Sequence, residues 1–320
     1  MLIMRVVIIG GSGHVGTYLV PMLVERGDEV INVTRGERAP YLPHAAWKQV
    51  QSVKADRAAE DSAGTFGARI RDLKPDVVID MICFEETSAH QLVEALRGQV
   101  QHFLHCGTIW IYGQSMQVPA REDQPRRPFG HYGTQKAAIE AYLLDQARRY
   151  GFPATMLHPG HIVGEGHVPL NPQGNFNPDV YEQIARGETL VLPNFGLETV
   201  HHVHAADVAQ AFYKAMTYWN TSVGESFHTV SPAALTLRGY AEAVFGWFGH
   251  KPKLEFLGWE EWRKTVPEDD AQATWEHITR SPNASIAKAE RLIHYQPRYS
   301  SLEAVYESVN WLIDHNVIKI

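Results

Sequence analysis

Tyr132 and Lys136 stand four residues apart in Tyr132-Gly133-Thr134-Gln135-Lys136, so a helix here puts a phenol and an ammonium on one face. A cation beside a phenol favours the phenolate and lowers its pKa towards neutrality, which lets the pair exchange a proton with a substrate hydroxyl. A second cluster lies near the start, in Val7-Ile8-Ile9-Gly10-Gly11-Ser12-Gly13-His14-Val15-Gly16. A short apolar strand there runs into glycines spaced to wrap a pyrophosphate: one for the tight turn, one for close backbone approach, one for close packing of the next helix. That helix would aim its N-terminus at the anion. A dinucleotide is therefore the leading ligand. Thr34-Arg35-Gly36, at the end of the next apolar run, lacks the acid that binds a ribose 2′-hydroxyl and offers a guanidinium fork suited to a 2′-phosphate. NADP is favoured over NAD, which stays open if Arg35 stacks on adenine or faces solvent.

Histidines gather later, at His158, His161, His167, His201, His202 and His204. No cysteine or acidic set with structural zinc spacing joins them, so no metal is predicted. His161 and His202 are candidates for substrate hydrogen bonding. Asn171 and Asn175, in a loop rich in Gly and Pro, can offer amides to a polyol or serve as turn residues.

These groups need a scaffold, and the first half alternates strand and helix signals. Strands are expected near 5–9, 29–34, 47–50, 76–82 and 102–106, with a helical stripe over 133–149 and a strand following at 153–157. The expected fold is α/β: a doubly wound parallel Rossmann sheet with a smaller C-terminal α/β substrate lobe. Residues 1–163 would form the dinucleotide-binding domain, its core completed by about 198–220, and 164–197 with 221–320 the substrate-binding lobe. Trp247, Trp259, Trp262 and Trp275 read as core of that lobe.

The 320 residues, 44% hydrophobic, support a substantial core. A net charge of −7 without a long basic run argues against a nonspecific nucleic-acid surface. The apolar start meets the glycine turn too soon for a secretory signal, and no apolar stretch reaches membrane-spanning length. Cys83 and Cys106 sit in apolar runs and read as buried thiols. A cytoplasmic protein is expected.

Gly10-x-x-Gly13-x-x-Gly16 with Tyr132-x-x-x-Lys136 resembles the extended branch of the short-chain dehydrogenase/reductase superfamily, the NAD(P)-dependent epimerase/dehydratase family, over nearly the whole chain. The resemblance implies that Thr108, four before Tyr112 in Gly107-Thr108-Ile109-Trp110-Ile111-Tyr112-Gly113, is the catalytic hydroxyl beside Tyr132, and that Lys136 holds the cofactor ribose. It places Pro159, Gly160 and Ile162 along the nicotinamide, Asp56 and Arg57 near the adenine, and Trp110 at the substrate. His204-Ala205-Ala206-Asp207-Val208-Ala209 and Ser285-Ile286-Ala287-Lys288-Ala289 with Pro297 resemble later family signatures. The chain departs from the pattern in three places. No Asn lies between Asp80 and Gly107, Phe84 or Glu85 standing near its place; about Val200 stands where nucleotide-sugar members carry a diphosphate-clamping Arg; and the second strand ends without an Asp.

The resemblance implies an NAD(P)-dependent enzyme acting on a hydroxyl or ketone carbon of a sugar-like or other polar small molecule, with a homodimer formed through the Tyr132 helix as the default assembly. One alternative is an NADPH-dependent carbonyl reductase with the same residues. Another is a cofactor-bound RNA-binding or regulatory protein without turnover, because Thr34-Arg35-Gly36 with Asp56-Arg57 also resembles the plant chloroplast RNA-binding members; the Tyr132/Lys136 pair and the acidic charge count against it.

Overall fold

The structure, a computed structural model, describes residues 3–320. Its first half is β1 (Arg5–Ile9), α1 (His14–Arg26), β2 (Glu29–Thr34), β3 (Gln51–Lys54), α2 (Arg57–Ser62), α3 (Phe66–Asp72), β4 (Val77–Asp80), α4 (Glu86–Leu96), β5 (His102–Cys106), α5 (Gly130–Tyr150) and β6 (Ala154–Pro159). Residues 6–9, all of β4 and all of β5 are buried on both faces, as strands covered by helices must be. Helix α1 buries Val15, Leu19, Val20 and Leu23 and stops at Gly27, whose left-handed φ of 97° lets its N–H bond back to the last carbonyls.

From β6 the chain leaves the sheet through β7 (His161–Val163), α6 (Asp179–Ala185), β8 (Leu190–Pro193) and β9 (Thr199–Val200). It returns with β10 (His202–His204), α7 (Ala205–Thr217), α8 (Trp219–Ser222) and β11 (Ser226–Thr229). A second excursion runs through β12 (Leu235–Thr236), α9 (Leu237–Trp247), β13 (Leu254–Leu257), α10 (Trp259–Trp262) and α11 (Glu268–Arg280), before α12 (Ala287–Ile293) and α13 (Ser301–Asp314) end the chain.

Seven parallel strands form the main sheet in the order β11-β6-β5-β4-β1-β2-β3. One face packs α1, α7 and α12 through Leu19, Leu23, Phe212 and Ile293, and the other packs α3, α4 and α5 through Ile70, Leu92, Ile139 and Leu143. A third cluster, with Tyr181, Leu190, Tyr240, Phe245 and Val305, is the core of the lobe. Strand order reverses between β1 and β4, so a crevice opens beyond their carboxyl ends, where ligands of such sheets bind.

Two expectations need correction. The strand expected at 47–50 is a 3-10 turn over Ala45–Gln49, started by His44 Nδ1 accepting from the Ala46 N–H, and β3 follows it because Gln51 is the residue that registers with Ile31. The lobe does not take all of 221–320 either. Strand β11 pairs with β6 in the main sheet, and Ala289, Ile293 and Tyr295 complete the core under α7, because the unpaired backbone edge of β6 and the free face of α7 both need cover.

Candidate active site

The glycine turn is held by contacts that a side chain would break. A Cβ on Gly16 would fall 1.9 Å from the Gly11 carbonyl oxygen, so α1 can approach the turn only without one. Gly10 has φ +87°, and a Cβ there would meet Ile82 at 2.8 Å. Asn32 ties the turn from below: its Oδ1 accepts from the Gly11 N–H at 3.0 Å and its Nδ2 donates to Ser12 Oγ at 2.8 Å. Gly13 is the N-cap of α1. A cavity of about 850 Å³ lies against this turn, lined by Gly10, Ser12, Gly13, Thr34, Arg35, Asp56 and Arg57 among others. Its size, its glycine floor and the helix N-terminus beside it fit the adenosine and phosphate part of a dinucleotide.

Not every residue expected at the cofactor presents its side chain there. Val15 packs into the core, and the His14 ring is stacked on Tyr41 at 4.0 Å and tilted against His167 at 4.3 Å. Asp56 caps α2 by accepting from the Ala59 N–H, while Arg57 is buried and bridges Asp80 at 2.5 Å and Asp61 at 3.2 Å. The guanidinium of Arg57 is therefore engaged with carboxylates rather than free for an adenine. Arg35 pairs with Glu37 at 3.0 Å on the exposed rim, where Arg38 also lines the cavity.

The other end of the site gathers around β5. Lys136 is buried and donates to the Cys106 carbonyl at 2.7 Å, with its Nζ 5.1 Å from the Phe84 ring and 5.9 Å from the Tyr132 ring. Phe84 thus faces the lysine from near the place of the missing Asn, whereas Glu85 pairs with His131 at 2.9 Å. Tyr132 keeps 38% of its surface exposed, its ring edge-on to Trp110 at 5.8 Å. The expectation of a lowered phenol pKa is overturned. Burial pushes Tyr132 up to about 12, the buried Cys106 thiol adds to this and hydrogen bonding with Thr108 opposes it, while Lys136 is spent on a carbonyl.

Thr108 is anchored by a buried chain that joins three segments. Its N–H donates to His158 Nδ1 at 3.0 Å; His158 Nε2 meets Glu140 Oε1 at 2.9 Å; and Arg126 grips Glu140 with two bonds of 2.8 and 2.7 Å. Burial alone would push the Glu140 carboxyl up, but His158 and the Arg126 fork outweigh it and hold the carboxyl well below the usual range. A Cβ on Gly107 would sit 2.2 Å from His158 Nδ1, so this chain exists only because residue 107 has none. The Thr108 Oγ accepts from the Trp110 N–H at 3.2 Å, which leaves its proton free for a neighbouring oxygen.

Sequence reasoning did not single out Asn32, Arg38, Asp80, Arg126 or Glu140. A polar residue inside the apolar run of β2 was a usable signal for Asn32, and Glu140 lies one turn beyond Lys136 on the buried side of α5. Arg126 lies in an irregular segment and gave none.

On the substrate side the structure separates the candidates. Asn171 and Asn175 are fully buried and satisfy each other: Asn171 donates to Asn175 Oδ1 and the Asn177 carbonyl, and Asn175 donates to Thr274 Oγ1. They staple the loop and offer the cleft nothing, a correction to the amide reading. His161 packs edge-on to His202 at 5.7 Å, close to Trp110 through His277. Pro159 ends β6, Ile162 lies in β7, and Gly160 is confined because a Cβ would lie 2.4 Å from the His201 carbonyl oxygen. Among the described residues, one group, Glu165, His204 and Glu307, clusters closely enough for a metal. His204 Nδ1 accepts from the Ala206 N–H, so its Nε2 carries the proton of the neutral ring and has no lone pair for an ion.

Residues 6–228 match the family model of the NAD dependent epimerase/dehydratase family. The chain belongs to this family. The UDP-glucose 4-epimerase of Lacticaseibacillus casei is 21% identical, with 98% of each chain covered. The chloroplast stem-loop binding protein of 41 kDa b of Arabidopsis thaliana is 25% identical over 96% of this chain and 78% of its own length. Among solved structures, an epimerase from Methanothermobacter thermautotrophicus superimposes with a TM-score of 0.74 at 18% identity, covering 99% of this chain and 94% of that one. The UDP-glucose 4-epimerase of Thermotoga maritima gives a TM-score of 0.71 at 20% identity, covering 98% and 100%. As a member of the epimerase/dehydratase family the protein is an NAD(P)-dependent enzyme of the extended short-chain dehydrogenase/reductase type, with that family's Rossmann fold. No helix of the described residues is long and apolar enough to cross a membrane.

Proposed function

We propose that this family member is an epimerase or dehydratase that moves a hydride off a hydroxyl-bearing carbon of a sugar-like small molecule and returns it to the same molecule. The observation that carries this reading is the Tyr132 phenol, exposed at the carboxyl end of β5 beside Thr108, with Lys136 buried behind it. Tyr132 exchanges one proton with the substrate oxygen, accepting it as the phenolate when the hydride leaves and giving it back as the phenol when the hydride returns; Thr108 holds that oxygen through its free proton, and Lys136 would meet the cofactor ribose. The bound dinucleotide supplies the hydride acceptor. Gly10, Gly11, Ser12, Gly13 and Gly16 hold its phosphates, and the Arg35 and Arg38 guanidiniums at the cavity rim support NADP over NAD. Phenylalanine at 132 should lower turnover at least about a hundredfold while cofactor affinity stays, because one proton-transfer group is lost with little contact area. Retention of more than a tenth of the activity would remove Tyr132 from this role.

Epimerases and dehydratases of this kind lose an oxidised intermediate if the cofactor leaves early, so the nucleotide should copurify. Denaturing fresh protein and assaying released nucleotide, then following nicotinamide absorbance during turnover, separates this class from a carbonyl reductase. Stoichiometric consumption of added cofactor with none retained would favour the reductase. Comparing NADPH and NADH affinity in wild type and in Arg35→Ala tests the cofactor preference; equal affinities sink it. Two free buried cysteines suit a reducing cytoplasm, and the paired α4 and α5 helices, with His90 stacked on Tyr142 at 3.7 Å, offer the face for a homodimer that sedimentation can check.

A further inference from the structure

The wall beside the Tyr132 phenol is a run of rings. His277 meets Trp110 edge-on at 5.1 Å, His161 meets His277 at 5.5 Å, and Phe176 lies 5.2 Å from His161 and keeps 40% of its surface exposed. Backbone carbonyls fix the imidazole tautomers. A carbonyl oxygen only accepts, so the ring nitrogen against it carries the proton and the other keeps its lone pair. His277 Nδ1 donates to the Ala273 carbonyl at 2.6 Å, His202 Nε2 to that of Leu170 at 3.3 Å, and His167 Nδ1 to that of Val168 at 3.0 Å. His277 Nε2, His202 Nδ1 and His167 Nε2 are left as acceptors, the His202 atom buried without a partner, as is His161 Nε2. Burial pushes His277 down to about 4 and His202 to about 3, so both rings are neutral at pH 7.

The cation at this wall is already used. Arg280 is 2% exposed and sandwiched between Trp110 at 3.7 Å and Phe129 at 3.9 Å, with its Nη1 on the Glu276 carbonyl and its Nη2 on that of Phe129. The free imidazole nitrogens do not converge on a metal either, since the group of ligand atoms within 4.8 Å of one another among the described residues is the separate Glu165, His204 and Glu307 cluster.

We infer that this site takes an uncharged, hydroxyl-rich small molecule rather than a nucleotide diphosphate, an inference that rests on Tyr132 being the proton-transfer group. Hydroxyls donate to the lone pairs of His277 Nε2 and His167 Nε2, which are neither bonded nor sealed off, while ring faces cover the C–H faces of the ligand. A diphosphate brings only acceptors, which would face acceptors, and two charges with only the buried Nε of the ring-sandwiched Arg280 left without a partner.

Cofactor loading is measured first by titration with NADP and NAD. Failure to bind either refutes the functional reading itself. Saturation-transfer difference NMR on the loaded protein then uses myo-inositol, D-glucose and UDP-glucose as probes. The expected result is transfer to ring protons of myo-inositol or D-glucose and none to the uracil protons of UDP-glucose. His277→Phe should weaken the polyol about fivefold, the loss of one hydrogen bond, with cofactor affinity unchanged. Saturation of the uracil protons, no transfer to either polyol, or equal polyol affinity in wild type and His277→Phe would overturn the inference while leaving the Tyr132 reading in place.

Discussion

Lys136 shows how folding reassigns a charge that spacing alone seems to explain. Four residues from Tyr132 it belongs beside the phenol, yet its ammonium bonds to Cys106 and the phenol rises to about 12. The cofactor-free protein should therefore show no difference in tyrosinate absorbance between wild type and Tyr132→Phe below pH 10; a difference near pH 8 would mean that Lys136 does act on the phenol. Gly16→Ala tests the turn in the same way. With 1.9 Å to the Gly11 oxygen the added methyl must push α1 off the turn, at a cost of about 1–3 kcal/mol in thermal unfolding and most of the dinucleotide affinity. Both the Tyr–Lys pair and the glycines were legible in the sequence because each lies within one element or one turn. The Arg126–Glu140–His158 chain was not, since it joins a loop, α5 and β6 through contacts that exist only once they pack.

Helix α13 is fastened to the loop after β7 by Ser308, whose hydroxyl accepts from the Gly164 N–H and donates to the Gly164 carbonyl, and the neighbouring Glu307 faces the same loop. Glu165 accepts from Tyr18 and lies with Glu307 around His204, whose Nε2 is 3.5 Å from Glu307. Burial and the Glu165 carboxylate push Glu307 up to about 7, opposed by contacts to Tyr299 and Arg298. A carboxyl raised in the folded state contributes stability below its ordinary value near 4.5 and loses it as pH climbs through about 7. Glu307→Gln should then melt higher than wild type at pH 8, with the gap shrinking towards pH 5; a gap independent of pH would contradict a raised Glu307 carboxyl. Glu140 runs the other way, its contribution present at neutral pH and lost only in acid, and Arg126→Ala should cost about 3 kcal/mol at pH 7 by stranding that buried carboxylate. At this scale the sequence was readable where periodicity was strong, as in α1, α5 and α7. It misled at 47–50, where Trp47 and Val50 are apolar because they pack against the α1 side of the core rather than because they form a strand.

For the molecule as a whole, the parallel sheet and the position of the site at its carboxyl edge followed from alternation and the glycine turn, but the traffic between sheet and lobe did not. Nothing in the composition of 221–320 marks Ser226–Thr229 as sheet, because four residues are too few for a pattern and their burial comes from β6. The cavity is lined by the glycine turn, β2, α2 and α4 together, so saturating NADP at a hundred times its dissociation constant should stabilise the entire chain by about 2.7 kcal/mol in one unfolding transition. That late arrival of β11 has a consequence for biosynthesis. The glycine turn and its cavity are translated early, whereas β6 waits as an uncovered backbone edge until the excursion through β7, α6 and α7 has been made. A ribosome that stalls or terminates between 160 and 225 releases a chain with that edge bare, ready to pair with another copy; such truncated products should be found in aggregates, and full-length chains should not.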